Sequence, residues 1–171
     1  MSELLEPGTL DRAAALLEQL QRAGLTLATA ESCTGGLVGA VLTAIPGSSA
    51  TVLAGFITYS NAAKARMLGV PEAMLAEFGA VSEPVARAMA EGALRESGAD
   101  LAVSLTGIAG PGGATPGKPV GLVHLGAARR GAPTLLRRCV FPGDRSAVRA
   151  ASVTMALAML AEQAARPAQG S

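Results

Sequence analysis

The residues Glu31-Ser32-Cys33-Thr34-Gly35-Gly36 follow the apolar segment Leu25–Thr29 and precede another, Leu37–Leu42. A serine at such a strand-to-helix junction projects its hydroxyl where strand ends open to a ligand. It can cut an amide if one group takes its proton and others hold the oxyanion. The amides of Thr34, Gly35 and Gly36, unpaired at a helix start, are the expected donors. The glycines would let a substrate approach the backbone closely. The same pattern fits a plainer role, in which Ser32 or Thr34 caps a helix starting near Gly35.

The partner of Ser32 is the next question. The only histidine, His124, lies in the middle of an apolar run and fits a packed or surface residue as well as a base. Metal-assisted hydrolysis needs about three protein ligands, and one histidine with scattered carboxylates forms no such cluster. No metal and no cofactor are therefore expected. Lysines are few, and Lys64 and Lys118 stand out. Lys64 sits one helical turn past Tyr59-Ser60-Asn61, in an otherwise apolar segment. Burial beside a serine would lower its pKa enough to make it a base, whereas an exposed helix face would leave it merely solvated. Lys118 lies in a Pro/Gly loop and reads as exposed. Cys33 is a rival nucleophile, since a thiolate is intrinsically stronger.

Two further segments read as binding elements. The loop from Thr106 and Gly107 to Gly113 could cradle a ligand with backbone amides. It lacks the Gly-Lys-Ser/Thr ending of a Walker loop and the helix that follows a dinucleotide fingerprint. Arg145 and Arg149, at i and i+4, would share a helix face and could clamp an anion, or serve with Asp144 at the surface.

Periodicity supplies the elements that position these residues. Helices are expected over Leu10–Ala23, with Thr9 as a cap and Gly24 as a stop; from Gly35 to Leu42; over Asn61–Gly69, capped by Asn61; over Pro71–Phe78; over Glu83–Glu96, capped by Ser82; and from Arg145 to about Ala164. Strands are expected over Leu25–Thr29, Thr51–Tyr59 and Leu101–Leu105. Pro119–Ala128 and Thr134–Phe141 read as a hairpin around Gly131. The tail, Arg166–Ser171, reads as frayed. The implied fold is a three-layer α/β/α domain with a mixed, mostly parallel sheet of about five strands. It is a single domain over residues 1–171, with a core at about 10–164.

The chain has 171 residues, 50% of them hydrophobic and 16% charged, which excludes a disordered segment. Aromatic residues make up 2%, so small aliphatic side chains must build the core. A formal net charge of +1 and rare aromatics argue against a nucleic-acid partner. Two cysteines, Cys33 and Cys139, make no disulfide framework. The first residues lack the basic and apolar regions of a signal peptide, and no apolar run reaches about 18 residues. A cytoplasmic protein with no membrane partner is expected. Low charge and apolar helices make a homodimer the expected assembly.

Six blocks occur in order: Ala30–Gly36, Thr58–Lys64, Gly79–Val85, Thr106–Pro111, Lys118–Gly121 and Gly143–Arg145. Together they resemble the C-terminal domain of the competence/damage-inducible CinA proteins, which also occurs alone as nicotinamide mononucleotide deamidase. The resemblance spans about Leu10 to Ala164. It implies a metal-free serine/lysine amidohydrolase that converts the carboxamide of nicotinamide mononucleotide to nicotinate mononucleotide and ammonia, in pyridine-nucleotide salvage. On this sequence Ser32 matches the nucleophile, Lys64 the base and Tyr59 a residue beside them. Thr106 with its loop and Arg145 match the substrate side, with Arg149 as a further candidate. Larger CinA proteins carry an N-terminal domain associated with nucleotide pyrophosphatase activity, which a chain of this length is not expected to hold. The alternative is a non-enzymatic competence- or damage-associated binding module.

Overall fold

A computed structural model describes residues 7–167. The segments read as the absence of a signal peptide and, past residue 167, as a frayed tail lie outside the described residues. The first strand, β1 (Leu27–Glu31), is buried at every position, as a strand covered on both faces must be. Beside it lie β2 (Val52–Ile57) and β3 (Leu101–Gly107), both parallel to it. Next come β4 (Leu122–Arg129), antiparallel to β3, and β5 (Ala132–Val140), antiparallel to β4. The order is β2-β1-β3-β4-β5, so only β4 runs against the other strands. This is the expected mixed sheet with one prevailing direction.

Helices α1 (Pro7–Ala23), α2 (Leu37–Thr43) and α6 (Arg145–Ala165) cover one face. Their core holds Leu27 of β1, Leu101, Val103 and Leu105 of β3, and Val123 and Leu125 of β4. Helices α3 (Asn61–Leu68), α4 (Glu72–Phe78) and α5 (Glu83–Ser97) cover the other. There the sheet offers small residues, among them Ala28, Ala30 and Ala102, so α5 sits close to it. A Cβ on Gly126 of β4 would lie 2.9 Å from Ser104 Oγ and 3.0 Å from Ala86 O. Only glycine admits the helix at that point.

Several element ends differ from the sequence expectation, each for a local reason. β1 begins at Leu27 because Thr26 turns to bond Asp100 through both its N–H and its hydroxyl. β3 continues through Thr106 and Gly107, which pair with His124 and Val123. β4 starts at Leu122, since Pro119 O accepts the Leu122 N–H in a turn. Ser60, not Asn61, caps α3, its Oγ accepting the Ala63 N–H at 3.0 Å. Thr9 lies inside α1. Ser82 occupies the N-cap position of α5 but donates to Gly79 O and makes no cap bond. Asp144 caps α6 by accepting the Ala147 N–H at 2.9 Å.

Helix α3 is tied to α5 at its C-terminal end. A Cβ on Gly92 of α5 would sit 2.1 Å from Leu68 O, and Arg95 donates to the same carbonyl at 2.9 Å. Gly92→Ala should therefore force the helices apart and cost about 1–3 kcal/mol, as overpacking does. A fall in the urea midpoint checks this; an unchanged midpoint refutes the tight contact.

Candidate active site

From β1 the chain passes through α2 to β2 on one side, and from β3 it passes to β4 on the other. The connections thus diverge at the carboxyl ends of β1 and β3, where open α/β sheets bind ligands. A cleft of about 220 Å³ lies there, lined by Ser32, Cys33, Tyr59, Asn61, Lys64, Ala80, Val81, Thr106, Gly107, Ala109 and Arg145. That is below the roughly 300–1,000 Å³ of most small-molecule pockets. A cleft of this size has room for a ring-sized group.

Ser32 follows β1 directly. Its N–H donates to Leu105 O and its carbonyl accepts the Gly35 N–H, both at 3.0 Å. Lys64 comes from α3, on the same inward stripe as Leu68 one turn later. Its side chain is 1% exposed and makes no ion pair among the described residues. Nζ lies 3.0 Å from Ser32 Oγ and 2.9 Å from Thr58 O. Thr58 is held in turn by its N–H on Glu31 O at 2.8 Å.

Burial pushes the Lys64 amine below the usual lysine range, while the Cys33 thiol acts in the opposite direction. A neutral amine has two N–H donors and one lone pair. Here Nζ donates to Thr58 O and to Ser32 Oγ; in the neutral form its lone pair could instead receive the Ser32 hydroxyl proton. That is the geometry of a nucleophile with its base.

The residues around this pair sort differently from the sequence expectation. The Gly35 N–H is taken by Ser32 O. The Gly36 N–H donates to the Glu31 carboxylate at 3.1 Å, as do Val38 at 3.1 Å and Gly39 at 2.9 Å. Gly35 and Gly36, at φ 59° and 100°, are needed for the turn; their amides are not open to a ligand. Neither Ser32 nor Thr34 caps α2, because Glu31 does so. The Thr34 side chain is fully buried, its Oγ1 without a partner. Among the described residues, the N–H groups of Cys33 and Thr34 make no backbone hydrogen bond.

Thr106 is buried at the cleft wall and donates to Ala80 O at 2.8 Å, tying that segment in place. Gly107 admits β4, since a Cβ there would lie 2.7 Å from Leu122 O. Tyr59, 62% exposed, forms the rim. Its hydroxyl accepts from Arg145 at 3.1 Å, and Arg145 also donates to Gly110 O at 3.0 Å. Tyr59 makes no hydrogen bond to Ser32 or Lys64 among the described residues. Arg149 does not bond with Arg145's partners and donates instead to Thr34 O at 3.1 Å, in the turn that carries Ser32. The i, i+4 pair is therefore no clamp: Arg145 lines the cleft and Arg149 braces its floor.

The rivals fare poorly. The Cys33 thiol is buried and pushed up to about 11, chiefly by burial, so it holds little thiolate at neutral pH. His124 lies off the cleft, with Nδ1 unpartnered and its pKa lowered by burial and then by Arg138. Lys118 holds Phe78 O at 2.7 Å. No group of three or more His, Cys, Asp or Glu among the described residues stands where it could hold a metal ion. The sequence reading missed Glu31 and Thr58. Its available signal was a carboxylate ending an otherwise apolar strand, which must find donors once buried.

The Lys64 shift carries a sign that stability measurements can read. With the folded pKa below the unfolded one, the unfolded chain binds more protons between the two, and stability rises with pH across that window. Below it the buried lysine is a cost. Lys64→Met should keep or raise the melting temperature at neutral pH, its advantage shrinking as pH approaches about 10.4. A large loss of stability in this variant would contradict the assignment.

The chain also has clear relatives. A family model described as the CinA C-terminal domain matches residues 10–164. A CinA-like protein of Akkermansia muciniphila is 50% identical over 157 residues, covering 92% of this chain and 38% of that protein. One from Citrifermentans bemidjiense is 55% identical over 147 residues, covering 86% of this chain and 34% of that protein. The chain thus spans little more than a third of the length of these curated relatives. A solved structure of a competence/damage inducible protein from Agrobacterium tumefaciens matches with a TM-score of 0.87 at 48% identity, covering 89% of this chain and 93% of that one. The competence damage-inducible protein A of Klebsiella pneumoniae matches with a TM-score of 0.89 at 39% identity, covering 92% and 98%. With its whole core matched by the family model and its fold shared with these structures, the chain belongs to the CinA C-terminal domain family.

Proposed function

We propose that this domain is a metal-free serine amidohydrolase acting on the carboxamide of nicotinamide mononucleotide. The observation that carries the reading is the 3.0 Å contact between Ser32 Oγ and a buried Lys64 Nζ. Neutral Lys64 takes the Ser32 proton as Oγ attacks the carboxamide carbon. The tetrahedral intermediate collapses, and Lys64 returns that proton to the leaving ammonia. Water, deprotonated by Lys64, then frees the acid from Ser32. The cleft suits a pyridine carboxamide in size, and Arg145 at its rim suits the 5′-phosphate that remains outside. Tyr59 orients Arg145 in this scheme and relays no proton.

Ammonia release from nicotinamide mononucleotide by the purified protein is the direct test. Turnover should persist in chelator and vanish in Ser32→Ala. Lys64→Arg, which keeps the charge but cannot act as a base, should lower kcat by about 10²–10⁴-fold. Cys33→Ala should stay active; a dead Cys33→Ala beside an active Ser32→Ala would reverse the assignment. The kcat/KM profile should climb with pH through the lowered Lys64 pKa, because the neutral amine is the active form. Absence of ammonia release together with salt-dependent DNA binding would favour a binding module instead.

Loss of Arg145 tests the phosphate contact separately. Arg145→Ala should raise KM for the nucleotide roughly 10–100-fold, the worth of a charge-assisted bond, without changing KM for the phosphate-free riboside. Equal effects on both would remove Arg145 from phosphate recognition.

A further inference from the structure

Glu31 takes no step in the chemistry just described, yet it is fully buried immediately before the nucleophile. We propose that Glu31 is a positioning residue that selects the oxyanion hole. By engaging the N–H groups of Gly36, Val38 and Gly39, it leaves that of Cys33, which lines the cleft, to receive the oxygen of the attacked carbonyl. This rests on the reading of Ser32 as nucleophile.

The start of a helix offers several unpaired N–H groups and a partial positive charge. Uncapped, the start of α2 would compete for the developing oxyanion. The Glu31 carboxylate closes it with three charge-assisted bonds of 2.9–3.1 Å. A separate turn begins at Ser32, whose carbonyl accepts the Gly35 N–H. Inside that turn the Cys33 N–H donates to no carbonyl among the described residues, and Cys33 lines the cleft whereas Thr34 is fully buried away from it. Cys33 directly follows the nucleophile, where a nucleophile elbow places an oxyanion donor. The backbone of Glu31 adds a link to the base: its carbonyl takes the Thr58 N–H, and Thr58 O holds Lys64. One residue therefore sets the donor through its side chain and the base through its main chain.

Glu31→Gln isolates the side-chain role. It keeps the backbone but sets an NH₂ group against N–H donors, so at least one bond is lost and the turn must shift. The expected result is a fall in kcat of about 10²–10³-fold per active site, the effect of losing one oxyanion donor. KM and the Lys64 limb of the pH profile should not move. Active sites are counted by labelling Ser32 with a fluorophosphonate, whose rate should fall in parallel. An unchanged kcat and labelling rate per folded site would reduce Glu31 to a structural cap and overturn the proposal.

If Glu31→Gln does not fold, amide NMR on the wild type decides. Phosphonylation of Ser32 should shift and protect the Cys33 amide and leave Gly36, Val38 and Gly39 as they were; the reverse pattern overturns the proposal. Labelling of Ser32 without ammonia release would sink only the nicotinamide mononucleotide substrate. Absence of both would sink the Ser32–Lys64 reading and this inference with it.

Discussion

Lys64 is held out of water beside a serine hydroxyl and a carbonyl, with no carboxylate paired to it among the described residues. A charged amine in such a place is expensive, so the fold keeps the neutral form accessible. Much of the domain serves this arrangement. Helix α3 must turn Lys64 inward with Leu68 and must dock against α5 closely enough that position 92 holds a glycine. β2 must end where Thr58 can present its carbonyl, and β1 must end where Ser32 meets the amine from the other side.

Charge is distributed with the same economy around the turn that carries Ser32. Glu31 is buried but surrounded by N–H donors, which is the condition for an acid to sit inside a protein. Arg149 steadies the turn from behind through Thr34 O, and Arg145 joins the Gly110 loop to Tyr59 at the rim. The sheet face beneath α3 and α5 is lined by alanine and glycine, so the helix bearing Lys64 can lie near the strand that leads into Ser32. The scarcity of aromatic residues is part of that design.

A good deal of this was legible in the residues. The strand-turn-helix around Ser32 and the hairpin at Gly131 follow from period and turn chemistry, which are local properties. The cap of α3 is Ser60, one residue before the expected Asn61, because serine and asparagine compete for that role and only the entry direction of the chain separates them. A glycine run suggests open amides, which is why Thr34, Gly35 and Gly36 read as oxyanion donors. Glu31, five residues before Gly36, takes that amide across the turn, a contact no local pattern reveals.

By itself the sequence determined the layered α/β architecture, the glycine positions that the turns require and the small set of side chains able to do chemistry. It left Ser32 equally readable as a cap and Lys64 as a solvated helix residue. Tertiary structure shows that Ser32 does not cap α2 and that Lys64 is buried beside it, because burial and mutual distance arise only when α3 is packed against the end of β1. It also separated Arg145 from Arg149, two residues with the same spacing and the same charge, by giving them carbonyl partners in different loops. Spacing along a helix gives a direction; what stands in that direction is settled by the rest of the fold.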